Sequence, residues 1–204
     1  MKIDDWYLNI KKLPQISRAS TDYLATLKPY KAEYWDIATK KMVAYKDELL
    51  TKLIDIQKNR CVYCGLSLDN RSIDREHFVH KSEKNGYQEF MFNNDNLFAA
   101  CEHCNRRLKG TKDVLEMYNI NYSKCEFNII HPYFDNPDDY IEFLPSKDDP
   151  VVVRPTKKDN GKGLNTIKMF KLGTQVRWRQ RVAFINDQKM DTSRFKEILQ
   201  HTRK

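Results

Sequence analysis

Hydrophobic residues recur at steps of three and four along the segment that precedes the first cysteine. Lysine, aspartate and glutamate fill many of the positions between them, and the apolar series runs Trp35, Ala38, Met42, Tyr45, Leu49, Leu53 and Ile56. A spacing of this kind places the apolar side chains on one face of a helix. It predicts a long amphipathic helix that supports the middle of the chain or a partner.

A second, shorter helix is predicted over the stretch STDYLATLK, which begins at Ser20. Ser20 or Thr21 suits the N-cap, and Asp22 suits the first turn, where the helix dipole favours negative charge. Pro29 then separates the two helices, because proline disrupts the hydrogen bonds of a helix interior. We expect both helices to have a packing role.

The apolar periodicity ends at Cys61, and short segments separated by turn residues follow as far as Thr111. These segments include CVYCG, LDNRS, EKNGY and FNNDN, in which glycine, asparagine, aspartate and serine mark turns. We expect a cysteine knuckle, a β-hairpin and a following helix in this region.

The last third of the chain alternates turn-rich stretches with short regular elements. The stretch HPYFDNPDDY predicts an ordered loop, and residues Val151 to Val153 predict one short strand. Two helical pieces are then predicted, the first closed by Gly173 and the second capped by Thr174. We find neither a repeat nor a low-complexity linker, so the pattern favours one compact unit with helical arms.

The charge balance favours an anionic partner. The 204 residues include 36 basic and 28 acidic side chains, which gives a formal net charge of +8 and a pI near 9.1. An excess of this sign is typical of nucleic-acid-binding proteins, although an ordinary solubilising surface can give the same total. The stretch MKIDDWYLNI lacks the apolar run of a secretory signal, and no stretch has the roughly 18 apolar residues of a membrane span. We therefore expect a cytoplasmic protein.

Four of the five cysteines form two C-x-x-C pairs, Cys61 with Cys64 and Cys101 with Cys104. Each pair can wrap a tight turn around one side of a tetrahedral ion, so the spacing predicts a structural Zn²⁺ held by four thiolates. Redox chemistry is the alternative, but it needs only one pair and a thioredoxin-like setting that we do not find. Cys125 is expected to be a small buried residue, and His103 is poorly placed to compete as a ligand.

The stretch SIDREHFVHKS, residues 72–82, lies between the two cysteine pairs and crowds acidic and imidazole groups together. On a strand, side chains alternate, so Asp74 and Glu76 would share one face while His77 lies on the other. A carboxylate at the strand edge can bind a cation while the imidazole acts on a water molecule. The stretch therefore favours a cation site with a histidine beside it.

The segments CVYCG, REHFVHKS and NLFAACEHCNRRLKG, in this order, resemble the HNH endonucleases, whose ββα-metal site is commonly framed by a four-cysteine zinc. The resemblance covers roughly Cys61 to Lys112 and rests on order, spacing and residue type. It implies that Glu76 binds the catalytic metal, that His77 is the general base and that Asn96 braces the loop. It also implies that Asn105 is the last metal ligand, at a position where the family often has histidine.

The chemistry implied by this resemblance is hydrolysis of phosphodiester bonds, with DNA favoured over RNA as the substrate. A neutral imidazole can take a proton from water, and a Mg²⁺ or Mn²⁺ ion held by Glu76 and Asn105 can act as a Lewis acid on the phosphate. Four basic residues are expected to hold phosphates or to form a solvated basic face: Lys81, Arg106, Arg107 and Lys109. We interpret His80 as a surface histidine, and Asp74 stays open as an alternative ligand or a neighbour of the ligands.

The carboxyl-terminal third resembles a narrower HNH group through FNIIHPYFDNPDDYIEFLP, KGLNTIKMFKLG and the arginine-rich helix that follows. That group is the nuclease subunit of Septu-type anti-phage systems, including those attached to retrons. The resemblance implies an ABC-type or SMC-like ATPase as partner and a role in prokaryotic defence. His131 and Asp135 are expected mainly to hold their own loop. Three arginines are expected to spread around a helix without forming one phosphate-binding stripe: Arg177, Arg179 and Arg181.

These interpretations combine into an α+β fold, with a ββα-metal (HNH) core framed by a four-cysteine zinc site and amphipathic helices at both ends. The predicted regions are an N-terminal helical region at 1–58, a nuclease core at 59–125 and a C-terminal loop and helical extension at 126–204. Two other classes stay open: a zinc-stabilised nucleic-acid-binding or assembly subunit without catalysis, and a metal-binding scaffold that contacts only a protein partner. The set of acid, imidazole and asparagine residues argues against both.

Overall fold

The structure is a computed structural model that describes residues 7, 9–82, 84, 86–144 and 152–189, except the side chains of 188 and 189. Within these ranges lie four α-helices: α1 (Arg18–Ala25), α2 (Lys40–Ile56), α3 (Lys162–Met169) and α4 (Gln175–Lys189). The same ranges hold three antiparallel two-stranded sheets: β1 (Ile73–His77) with β2 (Leu97–Cys101), β3 (Leu115–Met117) with β4 (Glu126–Phe127), and β5 (Ile141–Leu144) with β6 (Val152–Pro155). The fold thus mixes helices with small sheets, as an α+β protein does.

Helix α2 confirms the amphipathic prediction over a shorter range. Thr39 caps it by accepting a hydrogen bond from the Met42 backbone N–H at 3.4 Å. The buried residues of α2 are Met42, Tyr45, Leu49 and Leu53, all from the predicted face. Trp35 lies instead in a separate 3₁₀ turn, Ala32–Asp36, because the backbone at Ile37 and Thr39 is not helical.

Helix α1 begins earlier than predicted, and the assignment of its cap was wrong. The N-cap is Ser17, whose hydroxyl accepts from the Ser20 N–H at 3.3 Å, so Ser20 and Thr21 lie inside the helix. Ser17 is held in this place by Glu48 of α2. The Glu48 carboxylate accepts from the Ser17 backbone N–H at 2.6 Å and from its hydroxyl at 2.9 Å, and these bonds fix the start of α1 against α2.

The central hairpin pairs β1 with β2 in an antiparallel register that sets Ile73 opposite Cys101 and His77 opposite Leu97. Strand β2 is buried along its whole length. A π helix at His103–Lys109 follows directly. The expected order of cysteine turn, hairpin and helix is present, and the helix is of the wide π type.

Gln57, the C-cap residue of α2, joins this helix to β2. Its Nε2 donates to the carbonyl of Ala99 at 2.8 Å and to that of Arg60 at 2.9 Å, while its Oε1 accepts from the Ala99 N–H at 2.8 Å. The Ala99 carbonyl also accepts from the Val62 N–H at 3.1 Å. These bonds hold the end of the helix, the cysteine turn and the hairpin in one fixed relation.

The stretch HPYFDNPDDY forms an ordered loop, as predicted. The Asp135 carboxylate accepts from the His131 backbone N–H at 2.7 Å and pairs with Lys162 of α3 at 3.0 Å. The strand expected at Val151 to Val153 corresponds to β6. Its described part begins at Val152, and Val151 lies outside the described residues.

Helix α3 ends at Met169, so the expectation that Gly173 closes it was wrong. Lys171 adopts a positive φ of 52°, and the Leu172 N–H bonds back to the Ile167 carbonyl at 2.9 Å, which completes a helix-ending motif without glycine. Thr174 precedes α4 as predicted, and its hydroxyl accepts from the backbone N–H of the third helical residue at 3.5 Å.

The buried hydrophobic residues form one continuous core to which all three predicted regions contribute, from Tyr7 through Met91 to Leu172. Helix α2 and the π helix both contact β2. None of the described helices combines the length and the apolar character that a membrane crossing requires.

Candidate metal centre and acid–histidine site

The four paired cysteines converge in the core. Cys61 and Cys64 lie in the turn after α2, Cys101 ends β2, and Cys104 lies in the π helix. All four thiols are buried and free, and their sulfur atoms lie within 4.8 Å of one another. A tetrahedral Zn²⁺ with Zn–S bonds of about 2.3 Å sets its sulfurs about 3.8 Å apart, so the cluster fits such an ion.

Backbone geometry explains how the two pairs meet. Gly65 has a positive φ of 68°, which lets the chain turn back so that its N–H reaches the Cys61 carbonyl at 2.9 Å. The Cys101 N–H donates to the Cys61 sulfur at 3.4 Å and ties the second pair to the first. The cluster can therefore hold a metal such as zinc.

Glu76 is buried, and its partners lie in the cysteine turn and the π helix. Its Oε1 accepts from the Tyr63 hydroxyl and from the Lys109 ammonium group, both at 2.7 Å. The Glu76 side chain is 5% exposed and that of Lys109 is 1% exposed. Burial raises the pKa of Glu76, and the charge of Lys109 opposes this rise. Glu76 is thus a buried carboxylate with a cation already beside it.

The partners of His77 differ from those of Glu76, as expected if adjacent residues of β1 face opposite sides. Its Nε2 lies 3.1 Å from the Met91 carbonyl oxygen, and the Trp35 ring packs edge-on against the imidazole with the centroids 4.3 Å apart. Because a carbonyl only accepts, Nε2 carries the hydrogen and Nδ1 keeps its lone pair. Burial, together with the charges of Lys81 and Lys109, lowers the pKa of His77 to about 3, so the imidazole is neutral at physiological pH.

Asn96 closes the base of the segment that connects β1 to β2. Its Oδ1 accepts from the Val79 N–H at 2.7 Å, and its Nδ2 donates to the carbonyls of Val79 and Phe90 at 3.0 and 3.1 Å. The Tyr122 hydroxyl adds a bond to Oδ1 at 2.9 Å and lies 3.1 Å from the His131 Nε2. The fully buried Asn96 side chain therefore holds both ends of the connecting segment together.

Asn105 is bonded to Asp74. Its Nδ2 donates to Asp74 Oδ2 at 3.0 Å, and Arg106 binds both oxygens of the same carboxylate at 2.9 and 2.6 Å. Among the described residues, the hydrogen bonds and ion pairs do not join Asn105 to Glu76. The π helix nevertheless contacts both acids of β1, since Asn105 and Arg106 reach Asp74 while Lys109 reaches Glu76.

The four basic residues expected at a phosphate-binding surface differ in their environment. Arg106 and Arg107 are exposed, and Lys81 is partly buried with its Nζ 3.6 Å from Asp36. Lys109 departs from the expectation, because its Nζ is buried between Glu76 and the His77 carbonyl, which accepts at 2.9 Å. Lys109 therefore does not contribute to an exposed basic surface in this conformation.

The structure also shows the surroundings of the remaining residues considered above: His80, His103, His131 and Cys125. His80 is buried, so its assignment to the surface was wrong, and its carbonyl accepts from the Tyr87 N–H at 2.9 Å. His131 is buried against Phe134, with ring centroids 4.1 Å apart, in keeping with a role in its own loop. Cys125 is buried, as predicted, and His103 is exposed.

Three residues at these sites were not predicted. Tyr63 contacts Glu76 and Trp35 contacts His77, and the sequence pattern gives no signal for either contact. Arg177 of α4 donates from Nη2 to the Cys104 sulfur at 3.2 Å. The spacing of four residues between Arg177 and Arg181 is the signal that would have placed these two arginines on one face.

Comparison with known proteins gives partial similarity to Septu proteins. No family model matches the chain. A Septu protein PtuB of Bacillus thuringiensis is 36% identical over 94 residues, which cover 45% of this chain and 31% of that protein. A Septu protein PtuB of Bacillus mycoides (strain KBAB4) is 27% identical over 163 residues, which cover 71% of this chain and 53% of that protein. The matched part of the chain thus spans about a third of the length of the first relative and about half of the length of the second.

Proposed function

We propose from the similarity to two PtuB proteins that this chain is a component of a Septu-type anti-phage system. We also propose that it hydrolyses phosphodiester bonds in nucleic acid. The finer proposal is a metal-dependent HNH endonuclease that acts on DNA. One arrangement carries it: an acid and an imidazole stand on adjacent residues of β1, in a hairpin that begins and ends beside the cysteine cluster.

His77 is the proposed general base. Its Nδ1 keeps a lone pair for the proton of an attacking water molecule. Burial lowers the pKa of His77 to about 3, so this role requires the site to open to solvent and relieve that shift. Asn96 is the proposed brace of this arrangement. It binds the Phe90 carbonyl and so fixes the neighbouring Met91 carbonyl, which orients the imidazole through Nε2.

Glu76 and Asn105 are the proposed ligands of a Mg²⁺ or Mn²⁺ ion, and Asp74 is a neighbouring carboxylate. Carboxylate and amide oxygens are the donors that these hard ions prefer. When bound, the ion would supply Lewis-acid stabilisation of the phosphate and of the leaving oxygen. Because Lys109 occupies the Glu76 carboxylate, binding of an ion there requires this buried pair to open.

The exposed Arg106 and Arg107, together with Lys81, are the proposed contacts to phosphates next to the scissile bond. The proposed partner is an ABC-type or SMC-like ATPase that restrains or aims the nuclease. We expect the isolated chain to have low or unregulated activity, which an assay with and without the purified partner measures.

The decisive experiment compares the wild type with His77→Ala on plasmid DNA and RNA, in Mg²⁺, Mn²⁺ or chelator. The variant should not cleave, while its zinc content and circular dichroism spectrum stay those of the wild type. His103→Ala is the matched control, because this exposed histidine should be dispensable. Cleavage by His77→Ala at the wild-type rate would defeat the mechanism.

One observation favours a second candidate, a zinc-stabilised nucleic-acid-binding or assembly subunit without catalysis. Glu76 and His77 are both buried and Trp35 covers the imidazole, so a phosphate cannot reach either group without a movement of the chain. This candidate predicts that the wild type and His77→Ala bind nucleic acid equally in a gel-shift measurement and that neither cleaves it, with or without the partner.

A further inference from the structure

Two of the three arginines of α4 share one buried face. Arg177 and Arg181 are four residues apart, which places them on the same side of the helix, and they are 5% and 2% exposed. Arg179 lies between them in sequence and is exposed. The three arginines therefore do not form one phosphate-binding stripe, as expected, because two of them are buried and one is exposed.

The buried guanidinium groups lie against the metal centre and its surroundings. Arg177 donates from Nη2 to the Cys104 sulfur at 3.2 Å and from Nη1 to the Gln180 side-chain carbonyl at 3.1 Å. Arg181 donates from Nη2 to the Leu172 carbonyl at 2.6 Å. Helix α4 thus reaches the cysteine cluster through Arg177.

The contact between Arg177 and Cys104 places a positive charge in a buried position. A guanidinium group stays protonated and is costly to bury unless an anion is near it. Among the described residues, no carboxylate forms an ion pair with Arg177, and its partners are a cysteine sulfur and a neutral amide. Four thiolates around one divalent ion carry a net charge of about −2, which is the counter-charge that this buried cation needs.

We propose that Arg177 is a positioning residue of the metal centre, which balances the charge of the thiolates and makes the docking of α4 depend on metal occupancy. Its N–H···S bond to Cys104 fixes the position of that sulfur and places a positive charge beside it, which favours retention of the ion. Conversely, loss of the ion removes the centre that holds the four sulfurs and their charge beside the guanidinium group. Binding of the ion and docking of the helix therefore stabilise each other.

The test uses the full-length zinc-loaded protein and measures zinc transfer to a colorimetric chelator. Arg177→Met should release zinc about tenfold faster or more, the range seen when a residue that supports a metal ligand is removed. Arg177→Lys keeps the charge but loses the forked donor, and it should release zinc at an intermediate rate. Arg179→Met is the matched control and should behave as wild type. Release from Arg177→Met at the wild-type rate would overturn the proposal.

A second readout separates an effect on the sulfur from a general loss of packing. In the cobalt-substituted protein, the thiolate-to-metal charge-transfer band should shift in Arg177→Met and Arg177→Lys, because Cys104 loses or changes its hydrogen bond. Hydrogen exchange of residues 175–187 should also become faster when zinc is removed from the wild type. If Arg177→Met does not fold, Arg177→Lys provides the test. An unshifted charge-transfer band together with zinc release at the wild-type rate in Arg177→Lys would refute the proposed role of Arg177. Neither readout depends on nuclease activity.

Discussion

Replacement of Lys109 by methionine tests whether the pair between Lys109 and Glu76 stabilises the fold. The two groups are 2.7 Å apart, and their side chains are 1% and 5% exposed. The substitution leaves a carboxylate in the core whose one remaining side-chain partner among the described residues is the Tyr63 hydroxyl. Removal of one partner of such a pair costs about 3–5 kcal/mol. In a protein of this size, that loss lowers the melting temperature by roughly 6–20 °C.

Urea unfolding at pH 7 measures this cost, and a double-mutant cycle isolates its cause. Glu76→Gln together with Lys109→Met removes both charges, so the double variant should be more stable than Lys109→Met alone, with a coupling energy of about 2 kcal/mol. Lys112→Met is the matched control on an exposed position and should change stability by less than about 0.5 kcal/mol. A cost below about 1 kcal/mol for Lys109→Met, or strictly additive effects in the cycle, would refute the reasoning.

Three further predictions follow from the cysteines, the tryptophan and the buried histidine. Cys61→Ser should lower zinc occupancy and soluble yield, and a folded, zinc-free and active variant would contradict the structural role of the cluster. Trp35→Ala should expose His77, so that diethylpyrocarbonate modifies the His77 peptide faster by mass spectrometry; an unchanged rate would mean that the indole does not shield it. Burial holds the pKa of His131 well below its ordinary value of 6.5, so the unfolded chain gains a proton that the folded chain does not. The stability that this residue contributes is complete above pH 6.5 and falls by about 1.4 kcal/mol per pH unit below it. The stability difference between wild type and His131→Gln should therefore shrink between pH 7 and pH 5, and a constant difference in denaturant midpoint would contradict this.

The features that the sequence predicts well depend on short-range spacing. Two C-x-x-C pairs must bring their sulfurs together if one ion is to hold them, and the structure has this cluster. Alternation along a strand likewise predicted that His77 and Glu76 have different surroundings. The apolar series before Cys61 predicted the buried face of α2, since a helix has a fixed period.

The features that the sequence could not predict depend on long-range contacts or on unusual local geometry. Lys109 belongs to a basic run that is typical of a surface. The π helix has a wider turn, with the Gly110 N–H bonded to the Asn105 carbonyl at 2.7 Å, and this winding brings Cys104, Leu108 and Lys109 to the buried side. The contact of Trp35 with His77 joins residues 42 positions apart, and no local pattern encodes it.

The side chain of Gln57 also occupies part of the outer edge of β2. A two-stranded sheet has two open edges, and an open edge is a template on which a strand of another molecule can add. At Ala99 both backbone groups on the outer edge of β2 are already bonded, the N–H to Gln57 and the carbonyl to Gln57 and Val62. The glutamine amide and the Val62 N–H thus occupy the backbone groups at Ala99 with which a strand of another molecule would pair.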